Sequence, residues 1–379
     1  MKKHLSLFLI LLMGAVITVS AQSLSLPPNG NNQKATVTQY IGSLVTVTVD
    51  YSSPDVTGPN GNDRKGQIWG QLVPYGFTDL GFGNRNPSPW RAGANENTTI
   101  TFSHDVEVEG EPISAGTYGL HISVEETGPW TVVFSNRNDA WGSFFYEETN
   151  DALRVEATPE DVSFTEWLTY EFVDRQPTQT TLVMKWEEKQ LPFTISVPDI
   201  NELYVSTFEE ELTGATGFFW QNWQGAANWA VNNDYALDKA LVWAEQAISA
   251  PFVGNENFGT LSTKANVLRQ LGRDGEADEV MDTALNHPGT TVFQVHQYGR
   301  QLIGRGDNEG ALEVFKFNAK RFPKTWPINV GLARGYSANG DYKTALKHAK
   351  LAFEKAPDKL NKDALEAAIG NLEKGEPMN

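Results

Sequence analysis

Residues 326–357 read W-P-I-N-V-G-L-A-R-G-Y-S-A-N-G-D-Y-K-T-A-L-K-H-A-K-L-A-F-E-K-A-P. The helical pattern on either side of Asn339-Gly340 predicts two amphipathic helices joined by a glycine turn. Ala345, in T-A-L-K-H-A-K-L-A-F, has a counterpart 34 residues earlier at Ala311, in G-A-L-E-V-F-K-F-N-A. Another 34 residues back, Ala277 sits in E-A-D-E-V-M-D-T-A-L, and Ala240 precedes that by 37 in K-A-L-V-W-A-E-Q-A-I. A fixed period of this length implies stacked helical hairpins, each burying its apolar face on its neighbours. The expected pairs are 218–232 with 235–249, 258–271 with 275–286, 291–303 with 308–321, and 326–338 with 342–355. Pro251, Pro288, Pro323 and Pro357 punctuate their ends. The segment 358–379 should supply a capping helix and tail.

The fourth hairpin resembles a tetratricopeptide repeat (TPR), with Ala333, Tyr336, Gly340, Tyr342, Ala345, Ala352 and Pro357 at that family's signature positions. The third keeps Gly299, Ala311, Phe315 and Pro323, and the second Ala265, Gly272, Ala277 and Ala284. The first is degenerate, with Asn228 where a small residue is usual. The resemblance implies an α-solenoid over 218–357 whose first helices line a concave face. Asn266, Arg300 and Arg334 lie 34 residues apart and Trp229 precedes them by 37, so these four should stack along that groove, with Arg269 and His296 beside them. Arginine forks match carboxylates bidentately. The stripe therefore predicts an acidic segment or a free C-terminal carboxylate as ligand, offered by a protein or peptide partner or by this chain's own β domain. The competing reading is that these arginines only pair with acids on neighbouring helices.

Outward from the repeats, the chain changes texture. In residues 44–51, Val45, Val47 and Val49 share one face and Thr46, Thr48 and Asp50 the other. The same period of two recurs at 99–102, 130–134, 181–186 and 193–197. Many short strands without helical crossovers imply an antiparallel β-sandwich or jelly-roll-like domain over 22–198. Two stretches rich in Gly, Asn, Asp and Pro, 54–66 and 77–89, read as long surface loops, where binding tends to reside. The segment 199–217 reads as a linker carrying a helix over 200–212. The blocks Q-I-W-G-Q-L-V-P-Y-G (67–76), W-R-A-G-A-N-E-N-T-T-I-T-F (90–102), A-G-T-Y-G-L (115–120), W-T-V-V-F (130–134) and L-R-V (153–155) are together similar to an exported bacterial family known as domain of unknown function 2911. That resemblance implies no reaction and no catalytic residues. It departs from the family pattern at 77–89, where a shorter link is expected.

The chain is 379 residues long with a formal net charge of −17. That charge repels nucleic acid from most of the surface. Lys2 and Lys3, an apolar run from Leu5 to Val19 and the small residues before Gln22 read as a signal peptide over 1–21. Export follows, to the periplasm in preference to the extracellular medium, with no membrane span after cleavage. There is no cysteine, which excludes disulfides and a thiol nucleophile. Neither His104 nor His121 has a partner at ligand spacing, and no G-x-S-x-G elbow or phosphate-cradling loop is present. No metal or cofactor is expected.

The densest polar constellation is Trp90, Arg91, Asn95 and Glu96. As a site, Trp90 would stack on a sugar or peptide while Arg91, Asn95 and Glu96 hydrogen-bond to it. As plain structure, Arg91 would brace Glu96 through an ion pair. Asn136, Arg137 and Trp141 form a similar mixture, placed next to the first by sheet topology. The favoured reading is a non-enzymatic exported binding or assembly protein. The rival is an envelope glycan or peptide hydrolase with acid and base groups near residues 90–97.

Overall fold

The computed structural model describes residues 32–323 and 325–378. The expected signal segment, 1–21, lies outside the described residues. The chain divides into two compact units that meet between Ile200 and Asn201.

In the first unit, β1 (Gln33–Ile41) and β2 (Val45–Ser53) form a hairpin in which Val37 lies opposite Val49. Val45, Val47 and Val49 are fully buried and Thr46 and Thr48 are not, as the period of two requires. The strands that follow are β3 (Thr99–Phe102), β4 (Val106–Val108), β5 (Glu111–Ile113), β6 (Gly116–Ser123), β7 (Trp130–Ser135), β8 (Asp151–Ala157), β9 (Glu160–Val173) and β10 (Gln179–Ser196). They build a six-stranded sheet ordered β1-β2-β3-β6-β7-β8 and a four-stranded sheet ordered β5-β4-β10-β9, all antiparallel. Aromatic pairs join the two sheets into a sandwich. Tyr51 on β2 meets Tyr170 on β9 edge-on at 4.9 Å, and Phe134 on β7 meets Phe193 on β10 at 6.3 Å.

The two strands expected at 181–186 and 193–197 are one strand, β10. Its polar middle stays in the ladder through register shifts around Glu187, whose backbone is left-handed with φ 54°. A bulge of this kind bends a strand without ending it. The buried Glu187 carboxylate accepts the Gly66 backbone N–H.

The second unit opens with α1 (Ile200–Thr213). The segment 199–217, expected as a linker, is part of this unit's core. Val205 and Leu212 are buried with Ala226, Ala227, Ala230 and Trp243, because the apolar face of α1 needs a partner. Then come α2 (Trp220–Asn233), α3 (Leu237–Ser249), α4 (Phe258–Gln270), α5 (Asp274–Asn286), α6 (Val292–Gly304), α7 (Asn308–Arg321), α8 (Pro327–Ala338), α9 (Tyr342–Glu354) and α10 (Lys359–Glu373). The starts of α5, α7 and α9 are 34 residues apart.

Small residues set the helix spacing. Ala277, Ala311 and Ala345 are fully buried. A Cβ on Gly299 would lie 2.6 Å from the Phe315 ring, so α6 and α7 approach as closely as they do only because Gly299 has none. Side-chain capping fixes the helix starts: Asn257 and Thr291 form reciprocal boxes, and Asp307, Asp341 and Asp358 each accept a first-turn N–H. Asn228, the departure from the repeat pattern, accepts the Thr263 hydroxyl at 3.0 Å and so links α2 to α4 by a polar contact. Leu372 on α10 closes the last pair by packing with Ala333, Ala345 and Ala349.

Candidate functional site

The structure brings together three of the six residues expected in the groove. Arg300 projects from α6 as an exposed side chain, Arg334 from α8 is half-buried, and His296 lies one turn before Arg300. Burial, then the charge of Arg334, then that of Arg300 push the imidazole of His296 down to about 4. Burial and Arg300 likewise lower the Arg334 guanidinium. No carboxylate contributes to either shift. Arg334 Nε and His296 Nδ1 are buried without a hydrogen-bond partner among the described residues. The competing expectation, that acids on neighbouring helices neutralise these arginines, holds for Arg269 alone. Its Nη2 meets Asp278 on α5 at 2.5 Å. Asn266 accepts Arg305 Nη2 at 3.0 Å, a residue the 34-residue spacing did not point to. Trp229 does not join the cluster: it packs on Tyr204 and Phe208 of α1 at 5.4 and 5.2 Å. That contact follows from α1 being a packed helix.

In the β unit, residues 90–97 lie in the long excursion between β2 and β3. The loop is fixed from several directions. The Ala92 carbonyl accepts the Tyr170 hydroxyl at 2.7 Å and the Thr98 hydroxyl at 3.0 Å. Trp90 Nε1 donates to the Gly93 carbonyl at 3.1 Å, and the Ala94 N–H donates to Ser52. Ala92 and Asn95 have φ of 50° and 60°, a conformation that costs a non-glycine residue about 1–2 kcal/mol and persists only where its surroundings impose it.

The Arg91–Glu96 brace is not formed. The left-handed residues between them turn the two side chains apart. Glu96 pairs with Lys34 on β1. Burial would raise its carboxyl, but the Lys34 hydrogen bond and charge outweigh burial and hold it below its usual value. Arg91 Nη1 donates to the Asn95 carbonyl, and its guanidinium lies 5.0 Å over the Phe144 ring. Gly142 lies so close beneath that a Cβ there would be 2.2 Å from the guanidinium carbon.

The second mixture does adjoin the first. Asn97 donates from Nδ2 to the Arg137 carbonyl and from its backbone to that of Ala140, both at 3.1 Å. The side chains of that stretch point elsewhere. Arg137 is exposed and pairs with Asp139 at 3.3 Å, and Trp141 is 56% exposed. Asn136 is exposed and donates its backbone N–H to Asn150.

A cavity of about 310 Å³ opens beside this loop, roofed by the two stretches read as long loops. Trp90 forms one wall with Trp186 of β10, their rings stacked at 5.9 Å and 18°. Trp69 meets both edge-on and also touches Trp130. Sequence reasoning found Trp90 and missed Trp186, Arg64 and Ser143, which also line the cavity. These come from separate segments, and only the shared abundance of tryptophan in those segments hints at a common cluster. Among the described residues, no group of His, Asp and Glu side chains is placed to hold a metal ion.

Residues 32–195 match the model of a family described as "Protein of unknown function (DUF2911)". No curated protein matches the chain. Among solved structures, the chain is similar to the C-terminal part of a TPR repeat-containing protein from Cytophaga hutchinsonii, at 15% identity over 46% of this chain and 68% of that one, with a TM-score of 0.34. It is also similar to YrrB, a TPR protein with an unusual peptide-binding site, at 20% identity over 45% and 86%, TM-score 0.29. A tetratricopeptide repeat protein from Parabacteroides merdae shows 16% identity over 41% and 61%, TM-score 0.29. The repeat character of residues 218–357 stands on this chain's own helix pairs and their period.

Proposed function

We propose that the chain is an exported, non-enzymatic binding or assembly protein whose helical repeats capture a carboxylate-bearing segment of a partner protein. One observation carries this reading: in a chain of net charge −17, Arg300 and Arg334 sit one repeat apart with His296, and among the described residues no carboxylate acts on His296 or Arg334. Like charges held together destabilise the free protein. An arriving carboxylate relieves that repulsion and fits the guanidinium forks. Against the rival hydrolase reading, Lys34 holds the Glu96 carboxyl below its usual value, which disfavours Glu96 as a general acid.

The test uses a fluorescent oligoglutamate peptide with a free C-terminus and its C-terminally amidated twin, with the full chain. Arg300→Glu combined with Arg334→Glu should abolish binding of both, and added salt should weaken the wild-type complex. The uncharged Arg300→Gln, Arg334→Gln pair should weaken binding by about tenfold or more. Unchanged capture by either folded double variant contradicts the proposal. A selective loss with the amidated peptide identifies the terminal carboxylate as the group recognised.

A further inference from the structure

The β-unit cavity carries a chemistry independent of the repeats. We infer that it is a binding site for a small monocarboxylate with a flat or apolar body, anchored by Arg91 and stacked on the Trp90–Trp186 wall.

The volume, about 310 Å³, lies at the lower end of the range used by small-molecule sites. Leu72, Pro74, Leu80, Trp90 and Trp186 make much of the lining apolar. Two cations reach it, and only one is balanced. Arg64 Nη2 faces Asp55 at 3.6 Å, and its Nε and Nη2 donate to the Val56 and Asp55 carbonyls. Arg91 has one carbonyl, one aromatic face and no carboxylate among the described residues. The acid nearest in sequence, Glu96, belongs to Lys34. The other polar neighbours are neutral. Ser143, on the cavity wall, bonds to the buried His121 at 3.0 Å, and burial together with the charge of Arg91 pushes that imidazole down to about 4. His121 is therefore uncharged at neutral pH and adds no second positive charge beside Arg91.

A guanidinium drawn out of water needs an anion. One unbalanced positive charge suits one negative charge, and the planar fork suits a carboxylate. A phosphate dianion would leave its second charge unmatched. The strained loop around Ala92 and Asn95 holds Arg91 in place before any ligand arrives, which lowers the ordering cost of binding.

Ligand-observed NMR on the full chain with phenylacetate, hexanoate, phenylacetamide and phenyl phosphate tests this. Phenylacetate and hexanoate should bind. Phenylacetamide, of the same shape without the charge, should bind about tenfold more weakly or worse, and phenyl phosphate should be weaker than phenylacetate. Arg91→Gln should remove the preference for acid over amide. Leu80→Trp, a change on a surface loop that fills the cavity, should abolish binding with Arg91 intact and melting unchanged, and it serves if Arg91→Gln does not fold. The inference is overturned if neither carboxylate binds, if acid and amide bind alike, or if Leu80→Trp leaves binding untouched. None of these outcomes bears on the oligoglutamate measurement, so the two proposals fail separately.

Discussion

The two units each display cations without acidic partners among the described residues, but they build them in opposite ways. In the helical unit, repetition does the work: Arg300 and Arg334 occupy equivalent positions of successive first helices, and the result is an open stripe. In the β unit, Arg91 stands alone, held by a non-repeating loop whose left-handed residues are fixed by Tyr170 and Thr98, beside a closed wall of tryptophan. Repetition extends a surface and suits a ligand that is itself a chain. A fixed loop over a cavity encloses a volume and suits a small molecule.

If the comparison is sound, damage to one design should spare the other. The largest effect is expected from Trp186→Ala, which empties a nearly fully buried position in the tryptophan cluster. Truncations of this size cost about 3–5 kcal/mol. Hydrogen exchange on the full chain should show the loss in strands of the first unit, with protection of α4–α9 unchanged. Equal loss in both units would mean that they share one cooperative core. A smaller effect is expected from Gly299→Val. Its side chain would collide with Phe315 across α6 and α7, and overpacking of this kind costs about 1–3 kcal/mol. Protection should fall in the helical unit alone. A change in oligoglutamate affinity should accompany it, because Arg300 leaves the same helix one residue later.

The legibility of the two units in the sequence follows the same division. The hairpins are readable because 34-residue spacing places Ala277, Ala311 and Ala345 in equivalent buried slots. The β strands are readable where one face is wet, as at Val45, Val47 and Val49. The cavity was readable only at Trp90 and Arg91, since Trp186, which stacks on Trp90 in the same wall, lies about a hundred residues further along the chain. The Arg91–Glu96 pair is the instructive error. Opposite charges five residues apart look like partners, but left-handed backbone at Ala92 and Asn95 turns them apart, and Lys34 arrives from β1, another strand. Trp229 was misplaced for a related reason: α1 was read as a linker, so its aromatic face had no assigned role. Within the stripe, periodicity aligned the backbone positions. Which of its residues are taken up elsewhere was decided by Asp278, which pairs with Arg269, and by Arg305, which bonds to Asn266, and no spacing rule selects either.

The central claim is that Arg300, Arg334 and His296 form a carboxylate-binding site, and the ring of His296 reports on it directly. In the free chain burial, and then the two arginines, push this imidazole down to about 4. Its proton is therefore taken up in the folded state only well below the pH at which an unfolded histidine, near 6.5, takes up its own. Bound carboxylate cancels part of the arginine charge and favours the imidazolium, so the ring's pKa must rise. NMR titration of the His296 ring, with and without saturating oligoglutamate, should show the low value in the free chain and a clear upward shift in the complex. A peptide that binds while the His296 titration stays where it was would place the site elsewhere and contradict the account.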